Sequence, residues 1–252
     1  MANVHVNNDG IELDSPIMVE GLPGVGLAGK LVTDHLIDEH DLEEYASVHC
    51  ESIPQISVYQ ENDRKVHAPV RLSASADGSI VVLTSDVPVE VSESMEFIDG
   101  LIDWFETEEV LPIFLSGRPD PAAEEEEDGT DPHVFAVGCG DTEDRLADLD
   151  LPEPDEPGAI SGPTGALLLR CAEYNMEAIG AVVDSNIQFP DPLAAKRLIE
   201  NVVDPVTGLN TDSQALIDHA NEIKAKREAL AKSMQQAGQE TSSQAQPLRM
   251  FQ

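Results

Sequence analysis

Short runs of apolar residues alternate along the chain with segments in which apolar residues recur at helical spacing. The runs predict strands, and the spaced positions predict amphipathic helices. Strands are predicted at residues 16–21, 45–50, 56–60, 69–74, 79–85, 110–116, 133–138 and 178–184. Helices are predicted at 25–39, after a Ser92 cap, at 165–175, and from Asp191 with Pro192 in its first turn to about Val203. The helix after Ser92 is expected to bury one stripe of side chains: Met95, Ile98, Leu101, Ile102 and Phe105.

Strands that alternate with helices are typical of an α/β fold. The closely spaced strands between residues 45 and 85 indicate that part of the sheet is antiparallel. We therefore predict a single α/β domain at residues 1–205, with a mixed, partly parallel sheet flanked by helices. Two acidic, proline-containing segments, 118–132 and 141–157, interrupt the pattern and are expected to be solvated loops.

The C-terminal part of the chain has a different pattern. A helix is predicted at 212–236, with Thr211 and Gln214 as a capping box, inside a C-terminal segment 206–237. Six positions in it recur at spacings of four and three: Leu216, Ala220, Ile223, Arg227, Leu230 and Met234. This spacing predicts either a coiled-coil seam between copies of the chain or a helix that packs on its own domain. Residues 238–252 are expected to form a flexible, polar tail.

The chain is strongly acidic. It has 49 acidic and 14 basic residues among 252, and its formal net charge is -35. Such a field repels phosphates and anionic lipid heads, so nonspecific binding to nucleic acids or membranes is not expected. At about 1 M salt the Debye length is about 3 Å, which screens acidic self-repulsion. The composition therefore predicts a protein of a halophile, or alternatively an acidic mesophilic protein.

Targeting and metal-binding signals are weak. Cys50, Cys139 and Cys171 are isolated, so neither a disulfide framework nor a zinc site is expected. The N-terminal residues lack the basic and apolar regions of a signal peptide, and no run of about 18 apolar residues occurs. His35 and His40 lie five residues apart, which places them on different sides of a helix. We expect a cytoplasmic protein without a metal site.

A glycine-rich turn between the first predicted strand and helix is the strongest candidate for chemistry. Gly24, Gly26 and Gly29 form GxGxxG in the context of a dinucleotide-binding turn, and Glu51 could be the ribose-binding acid. Gly29 and Lys30 also continue a near match to a phosphate-cradling loop. Leu31 occupies the position of the magnesium-binding Ser or Thr in that loop, although Asp86 follows a strand as a Walker-B acid does. The turn predicts a nucleotide site or, alternatively, tight packing of a helix on the sheet.

Thr164 lies in the sequence Gly162-Pro163-Thr164-Gly165. This sequence lacks the spacing of a nucleophile elbow. Ser161 or Thr164 is instead expected to cap a helix. The sequence does not assemble a nucleophile, a base and an orienting acid, so no catalytic residue is predicted.

Three segments stand out by their order and spacing. They are residues 20–30 (EGLPGVGLAGK), 160–169 (ISGPTGALLL) and 189–200 (FPDPLAAKRLIE). Together they resemble the proteasome assembly chaperone family, in its second-type, ATP-independent archaeal branch. The resemblance implies an α/β domain similar to phosphorylase/hydrolase-like folds, oligomers built through C-terminal helices, and neither catalysis nor a cofactor. Some members have been compared with ATP-grasp enzymes, but no magnesium-binding carboxylate set is visible here.

The last three residues fit this resemblance. Met250, Phe251 and Gln252 are similar to the hydrophobic–tyrosine–any motif with which activators dock between α-subunits of the 20S proteasome. Phe251 keeps the aromatic ring of the motif and lacks its hydroxyl group. A terminal carboxylate is an anion that a lysine or an amide nest can capture. The resemblance therefore implies 20S α-subunits as partners.

Three functions follow as hypotheses. The first is an ATP-independent chaperone or adaptor that binds the 20S α-ring through the C-terminal tail and forms homo-oligomers. The second is a nucleotide-dependent enzyme that uses Gly24, Gly26, Gly29 and Lys30. The third is a scaffold that binds other proteins through its C-terminal helix.

The net charge leads to a test of salt dependence. Because the carboxylates repel one another at low ionic strength, we expect the melting temperature to fall as KCl is lowered from about 3 M to about 0.1 M. Circular dichroism across a KCl series measures this change. A melting temperature that stays constant over the series would contradict the halophilic interpretation.

Overall fold

The predicted strands join into one mixed sheet of eight strands. The computed structural model describes residues 3–51, 53–60, 63–89, 95–119, 131–186 and 190–218. The strands are β1 Asn3–Val6, β2 Ile17–Gly21, β3 Glu43–His49, β4 Val70–Ala74, β5 Ile80–Ser85, β6 Leu111–Pro119, β7 Val134–Cys139 and β8 Ala178–Ser185. The helices are α1 Ala28–Glu39, α2 Met95–Thr107, α3 Glu143–Ala147, α4 Gly162–Glu173, α5 Pro192–Leu198 and α6 Asp204–Thr207.

The sheet is parallel in its centre and antiparallel at both sides. The strand order is β1-β3-β4-β5-β2-β6-β8-β7. The pairs of β2 with β5, β2 with β6, and β6 with β8 are parallel, and the remaining pairs are antiparallel. The predicted α/β fold with a mixed, partly parallel sheet is therefore confirmed.

The order of the strands determines the face on which each helix packs. The chain adds β5 on one side of β2 and then crosses back to add β6 and β8 on the other side. Because parallel crossovers are right-handed, α1 must lie on one face of the sheet, with α2 and α4 on the opposite face. Two neighbouring residues of β2 confirm this arrangement, since adjacent strand residues point to opposite faces. Glu20 contacts Thr164 of α4, whereas Gly21 lies against Gly29 and Thr33 of α1.

The two faces have separate apolar layers. On one face, α2 and α4 pack against the sheet, and Phe97, Leu101, Phe105 and Leu167 are fully buried there. On the other face, α1 packs against α5. The buried side chains of α1 include Val32, Thr33 and Leu36. Those of α5 are Ala194, Ala195 and Leu198.

Several predicted elements need correction. Residues 56–60 form one bridge, Val58 with His67, instead of a strand. Met95 is 45% exposed, because it starts α2 at the edge of the buried stripe. The acidic segment 141–157 contains α3, whose Arg145 pairs with Glu177. Strand β1 escaped prediction because it is an edge strand with mostly exposed side chains.

The helix that begins at Asp191 is interrupted. Asp191 accepts a hydrogen bond from the amide of Ala194 and caps α5, as predicted. A wider π-type turn at Ile199–Val203 then leads into α6. Pro205 in the first turn of α6 has no backbone N–H to donate, so the regular hydrogen-bond ladder cannot continue through it.

The structure divides into two units, Met1–Ser213 and Gln214–Gln252. Residues 213–218 are helical, and the rest of the predicted helix 212–236 lies outside the described residues, together with Ser92 and the tail. The predicted divisions at 205 and 237 stay predictions. Across the described ranges, no helix is both long and apolar enough to cross a membrane.

Candidate functional site

The three segments that carry the family resemblance meet at the carboxyl ends of the central strands. The Thr164 hydroxyl, at the start of α4, donates a hydrogen bond to Glu20 Oε1 at 3.2 Å. The amide of Asp191, before α5, donates to the carbonyl of Gly26 at 2.8 Å. Segment 20–30 therefore contacts both of the other segments, which are far from it in sequence. In open α/β sheets this edge is the usual location of a ligand site.

The glycine turn presses directly against the sheet. Residues Val25–Leu27 form one 3-10 turn, in which Gly26 has φ of 61° and Leu27 has φ of 52°. A Cβ atom on Gly26 would overlap the Ser185 hydroxyl at the end of β8. A Cβ atom on Gly29 would lie 3.2 Å from Cβ of Leu115 on β6. Protein atoms thus occupy the space beside Gly26 and Gly29: the overlap and the positive φ require glycine at Gly26, and the contact at Gly29 is tight.

Gly24 is different from the other two glycines. Its backbone is extended, and a Cβ atom there would have its nearest neighbour at 3.9 Å, the carbonyl oxygen of Leu22. The conformation and the space at Gly24 therefore allow a side chain. The turn needs glycine at Gly26 and packs tightly at Gly29, whereas Gly24 shares only the sequence pattern.

Lys30 is held by acidic neighbours. Its Nζ atom lies 2.9 Å from Asp34 and 3.6 Å from Asp86, and it donates to the Thr84 hydroxyl at 3.4 Å. The guanidinium of Arg71 lies 2.6 Å from the other oxygen of Asp86. A phosphate group at Lys30 would compete with two carboxylates for the same charge.

Glu51 lies away from the glycine turn. It follows β3, which is separated from β2 by β4 and β5 in the sheet. A ribose-binding acid normally belongs to the strand adjacent to the glycine turn. The structure therefore does not bring Glu51 together with Gly24, Gly26 and Gly29. Asp86 lies closer, at the end of β5, but it is engaged by Lys30 and Arg71.

The two histidines of α1 anchor a distant segment. His35 Nε2 lies 3.0 Å from the carbonyl oxygen of Asp212, and His40 Nε2 lies 3.0 Å from the Thr211 hydroxyl. They fix residues 211–212 rather than a metal ion. In the part of the chain that the structure describes, no group of three potential metal ligands occurs.

Glu20 is a buried ionisable residue that the sequence analysis did not single out. It is fully buried near the end of β2. Burial raises its pKa from 4.5 to about 7, against the lowering effect of hydrogen bonds from the Leu22 amide and the Thr164 hydroxyl. The main chain of Leu115 also lowers the pKa, more weakly. Within the described ranges, Oε2 has no hydrogen-bond partner. The signal in the sequence was a charged residue inside the apolar run PIMVEG.

Thr164 has a different role from the predicted one. Ser161 is the N-cap residue of α4, and its side chain makes no capping hydrogen bond. Thr164 turns inward to Glu20 instead of capping the helix. A buried carboxylate near the amino end of a helix is favoured by the helix dipole, which gives this contact a physical basis. Glu20 and Thr164 thus tie β2 to α4.

The raised pKa of Glu20 predicts a pH-dependent stability. The unfolded chain loses this proton near pH 4.5 and the folded chain near pH 7. Stability should therefore fall as pH rises from 4.5 to 7 and stay lower above 7, by about 3 kcal/mol at most. Glu20→Gln should raise the melting temperature at pH 8, and the gain should shrink toward pH 5. Melting curves of the parent and of Glu153→Gln, an exposed control, complete the test. An equal gain at both pH values would contradict the assignment.

The glycine turn predicts a contrast between two alanine variants. Gly26→Ala should destabilise the fold by about 2 kcal/mol or more, because the side chain meets Ser185 at a left-handed backbone position. Gly24→Ala is the matched control and should change stability by less than about 1 kcal/mol. Urea unfolding measures both. Equal effects of the two variants would show that packing at Gly26 is not the reason for its glycine.

Met250, Phe251 and Gln252 lie outside the described residues. The nucleotide-loop prediction for Gly24, Gly26, Gly29 and Lys30 likewise stays a prediction. The geometry assigns to Gly26 and Gly29 a packing role and to Lys30 an ion-pair role.

Comparisons with known proteins bear on this arrangement. The PAC2 family profile matches residues 18–231. An uncharacterized protein of Methanocaldococcus jannaschii is 27% identical over 225 residues, which cover 88% of this chain and 87% of that protein.

Two solved structures from Pyrococcus furiosus share the fold. PbaA, an archaeal homolog of proteasome-assembly chaperone, is 22% identical with a TM-score of 0.79, over 96% of this chain and 97% of that chain. PbaB, an archaeal proteasome activator, is 24% identical with a TM-score of 0.73, over 91% and 98%. The family profile spans all three segments that carried the resemblance, which is thereby confirmed. The chain belongs to the PAC2 family.

Proposed function

We propose that this protein is a non-catalytic, ATP-independent proteasome-binding chaperone or adaptor/activator. It docks on the α-ring of the 20S proteasome through its C-terminal tail. The observation that carries the proposal is likeness over nearly the whole chain to PbaA and PbaB, an archaeal chaperone homolog and an archaeal proteasome activator. Membership of the PAC2 family supports it independently.

The geometry of the central strand ends also supports a role without catalysis. Glu20 is fully buried, so a substrate in solution cannot reach its carboxyl group without rearrangement. Ser185 and Leu115 fill the space beside Gly26 and Gly29, and Asp34 and Asp86 hold Lys30. The groups that most resemble a reaction centre or a phosphate cradle are thus engaged in holding the fold together.

The tail has the chemistry of a docking segment. Met250 and Phe251 supply two apolar side chains, and the Gln252 carboxylate supplies a fixed anion beside them. The linker from Gly238 to Pro247 would reach about 16–19 Å as a flexible chain. That reach lets the tail enter a pocket on the particle while the folded body stays outside.

The C-terminal segment differs in charge from the rest of the chain. Residues 219–252 contain five basic and three acidic residues, which leaves nine basic and 46 acidic residues for positions 1–218. The five basic residues are Lys224, Lys226, Arg227, Lys232 and Arg249. A net positive segment reaches an anionic partner surface without the repulsion that the rest of this chain would cause.

Multivalency strengthens the proposed docking. One tail buries only two apolar side chains, and ordering it costs entropy. Several tails on a homo-oligomer raise the effective concentration and convert weak contacts into stable capture. We propose a homo-oligomer that works in the cytoplasm of a halophile, where salt screens the acidic surface.

The docking proposal predicts the loss of proteasome binding in tail variants. Phe251→Ala should abolish co-purification with the 20S particle in molar KCl, because it removes the aromatic side chain from the α-ring pocket. Addition of one residue after Gln252 should have the same effect by moving the carboxylate. Gln244→Ala, in the linker that precedes the tail residues, is the matched control and should bind as the parent does. If both tail variants still bind, the tail is not the anchor, and the contact lies on the α/β body or on the C-terminal helix.

The alternative is a nucleotide-binding enzyme that uses Gly24, Gly26, Gly29 and Lys30. The observation in its favour is the position of the glycine turn at the amino end of α1, at the carboxyl edge of a parallel strand. Calorimetric titration with ATP or NAD separates the two functions. Saturable binding that Lys30→Ala abolishes would favour the enzyme. Proteasome binding that survives removal of residues 250–252 would instead favour a scaffold that uses the C-terminal helix.

A further inference from the structure

Two basic residues of this acidic protein have no acidic partner. The described residues include nine lysines and arginines, and seven of them lie within ion-pair distance of a carboxylate: Lys30, Arg71, Arg118, Arg145, Arg170, Lys196 and Arg197. Arg64 and Lys65 are the two that form no ion pair among the described residues. Both are exposed. The described part of this strongly acidic chain thus contains two adjacent cations without an ion pair to a described carboxylate.

In the described part of the chain, the two most exposed large apolar side chains lie in the same loop as these cations. Among the described residues, Tyr59 is 82% exposed and Val66 is 72% exposed, and Ile56 is 48% exposed. Single exposed apolar residues are common on protein surfaces, but clusters of them mark interaction sites. We call Ile56, Tyr59, Arg64, Lys65 and Val66 the loop patch.

The backbone brings Tyr59 and Val66 together. Val58 and His67 form an antiparallel bridge, in which the amide of each donates to the carbonyl of the other at 3.0 and 2.8 Å. Tyr59 and Val66 are the next residues on the two arms. In an antiparallel arrangement such residues oppose each other and point to the same side, away from the face of Val58 and His67. The bridge therefore directs these two exposed side chains to the same side of the loop.

The loop patch stands on an anchored backbone. The ring nitrogens of His67 lie 2.6 Å from Glu44 on β3 and 2.9 Å from Asp63 in the loop. The hydrogen bond with Glu44 raises the pKa of His67. Ile53 is buried, and Asp63 accepts from the Lys65 amide. The exposed side chains are displayed by backbone that is already ordered, and this lowers the entropy cost of binding.

We propose that the loop patch docks a segment of a partner protein that presents carboxylates around an apolar side chain. Tyr59 and Val66 would cover the apolar side chain, and Arg64 and Lys65 would meet the carboxylates. This contact is separate from the C-terminal tail and does not depend on the identity of the particle that the tail binds.

Charge decides between this partner and two other occupants. A second copy of the chain is disfavoured as the occupant, because a twofold contact would bring four cations, two from each copy, into one interface. A lipid surface would meet the strongly negative field of the remaining chain, which two cations do not offset. An acidic apolar segment of limited size meets the two cations at close range and presents less charge to the rest of the chain than a lipid surface does.

The test measures the binding of two labelled octapeptides to the full chain by fluorescence anisotropy, at a KCl concentration at which the parent is folded. The first peptide alternates glutamate with phenylalanine and leucine, and the second has glutamine in place of glutamate. The variants are Tyr59→Ser with Val66→Ser, and Arg64→Gln with Lys65→Gln. The matched controls are Leu193→Ser, an apolar residue 44% exposed on α5, and Arg145→Gln, a cation paired with Glu177.

We expect the parent to bind the acidic peptide more tightly than the glutamine peptide, and the difference to grow as KCl is lowered within the range in which the parent stays folded. Each loop double variant should weaken acidic-peptide binding by about ten-fold or more, and the controls should stay within about two-fold of the parent. Circular dichroism melts confirm that every variant is folded.

Three results would overturn the proposal. The first is equal binding of the acidic peptide by the parent and the loop variants, or no binding by the parent. The second is that the parent does not bind the peptide but binds phosphatidylglycerol vesicles through the same residues, which would assign the patch to lipid. The third is an oligomer of the parent that the loop variants dissociate in sedimentation equilibrium, which would assign the patch to a second copy.

Discussion

The rest of the structure depends on how closely α1 and the turn before it approach the sheet. Glycine residues make this close approach possible. A side chain at Gly21 would overlap the carbonyl of Gly29, and one at Gly117 would overlap the carbonyl of Val25. Backbone therefore contacts backbone where the turn crosses β2 and β6. Because the turn lies so close to the sheet, the carbonyl of Gly26 can accept a hydrogen bond from the Asp191 amide and so position the start of α5. One short turn thus sets the placement of two helices on the same face.

The opposite face is fixed at the same strand by a polar contact. Glu20 precedes Gly21 in β2, so its side chain points to the α4 side, where Thr164 donates to it. A carboxylate in this position is costly unless it is hydrogen-bonded, and only one of its two oxygens has such partners among the described residues. An apolar residue would avoid this cost. The polar pair instead links β2 to the start of α4 through one directional contact.

The few cations of the described chain serve mainly as ties between its elements. Arg118 joins β6 to β8 through Asp184, and Arg170 joins α4 to α2 through Asp99. Lys30 and Arg71 share Asp86 at the end of β5. Because cations are scarce and carboxylates abundant, a cation without a partner is unusual here. Arg64 and Lys65 therefore mark the loop patch more clearly than they would on a protein of balanced charge.

The sequence by itself determined the class of fold and most of its elements. The central strands are continuous apolar runs because both of their faces are buried, and α2 shows its buried stripe in its spacing. Because these signals are local, they can be recognised from the sequence alone. Asp191 with Pro192 likewise marked the start of a helix through chemistry confined to four residues.

Only the tertiary structure decided which of these residues meet. Glu20 and Thr164 are 144 residues apart, and Glu20 acquires its raised pKa from burial by neighbours that no local pattern identifies. The same GxGxxG pattern fits a nucleotide turn and a packed turn, and the atoms of Ser185 and Leu115 that occupy the space come from other strands. The sequence also cannot tell an exposed valine from a buried one in a polar loop, so Tyr59 and Val66 became a surface only when the Val58 and His67 bridge placed them side by side. Contacts between distant segments arise from the packing of the whole chain, and a single sequence records them only as separate residues.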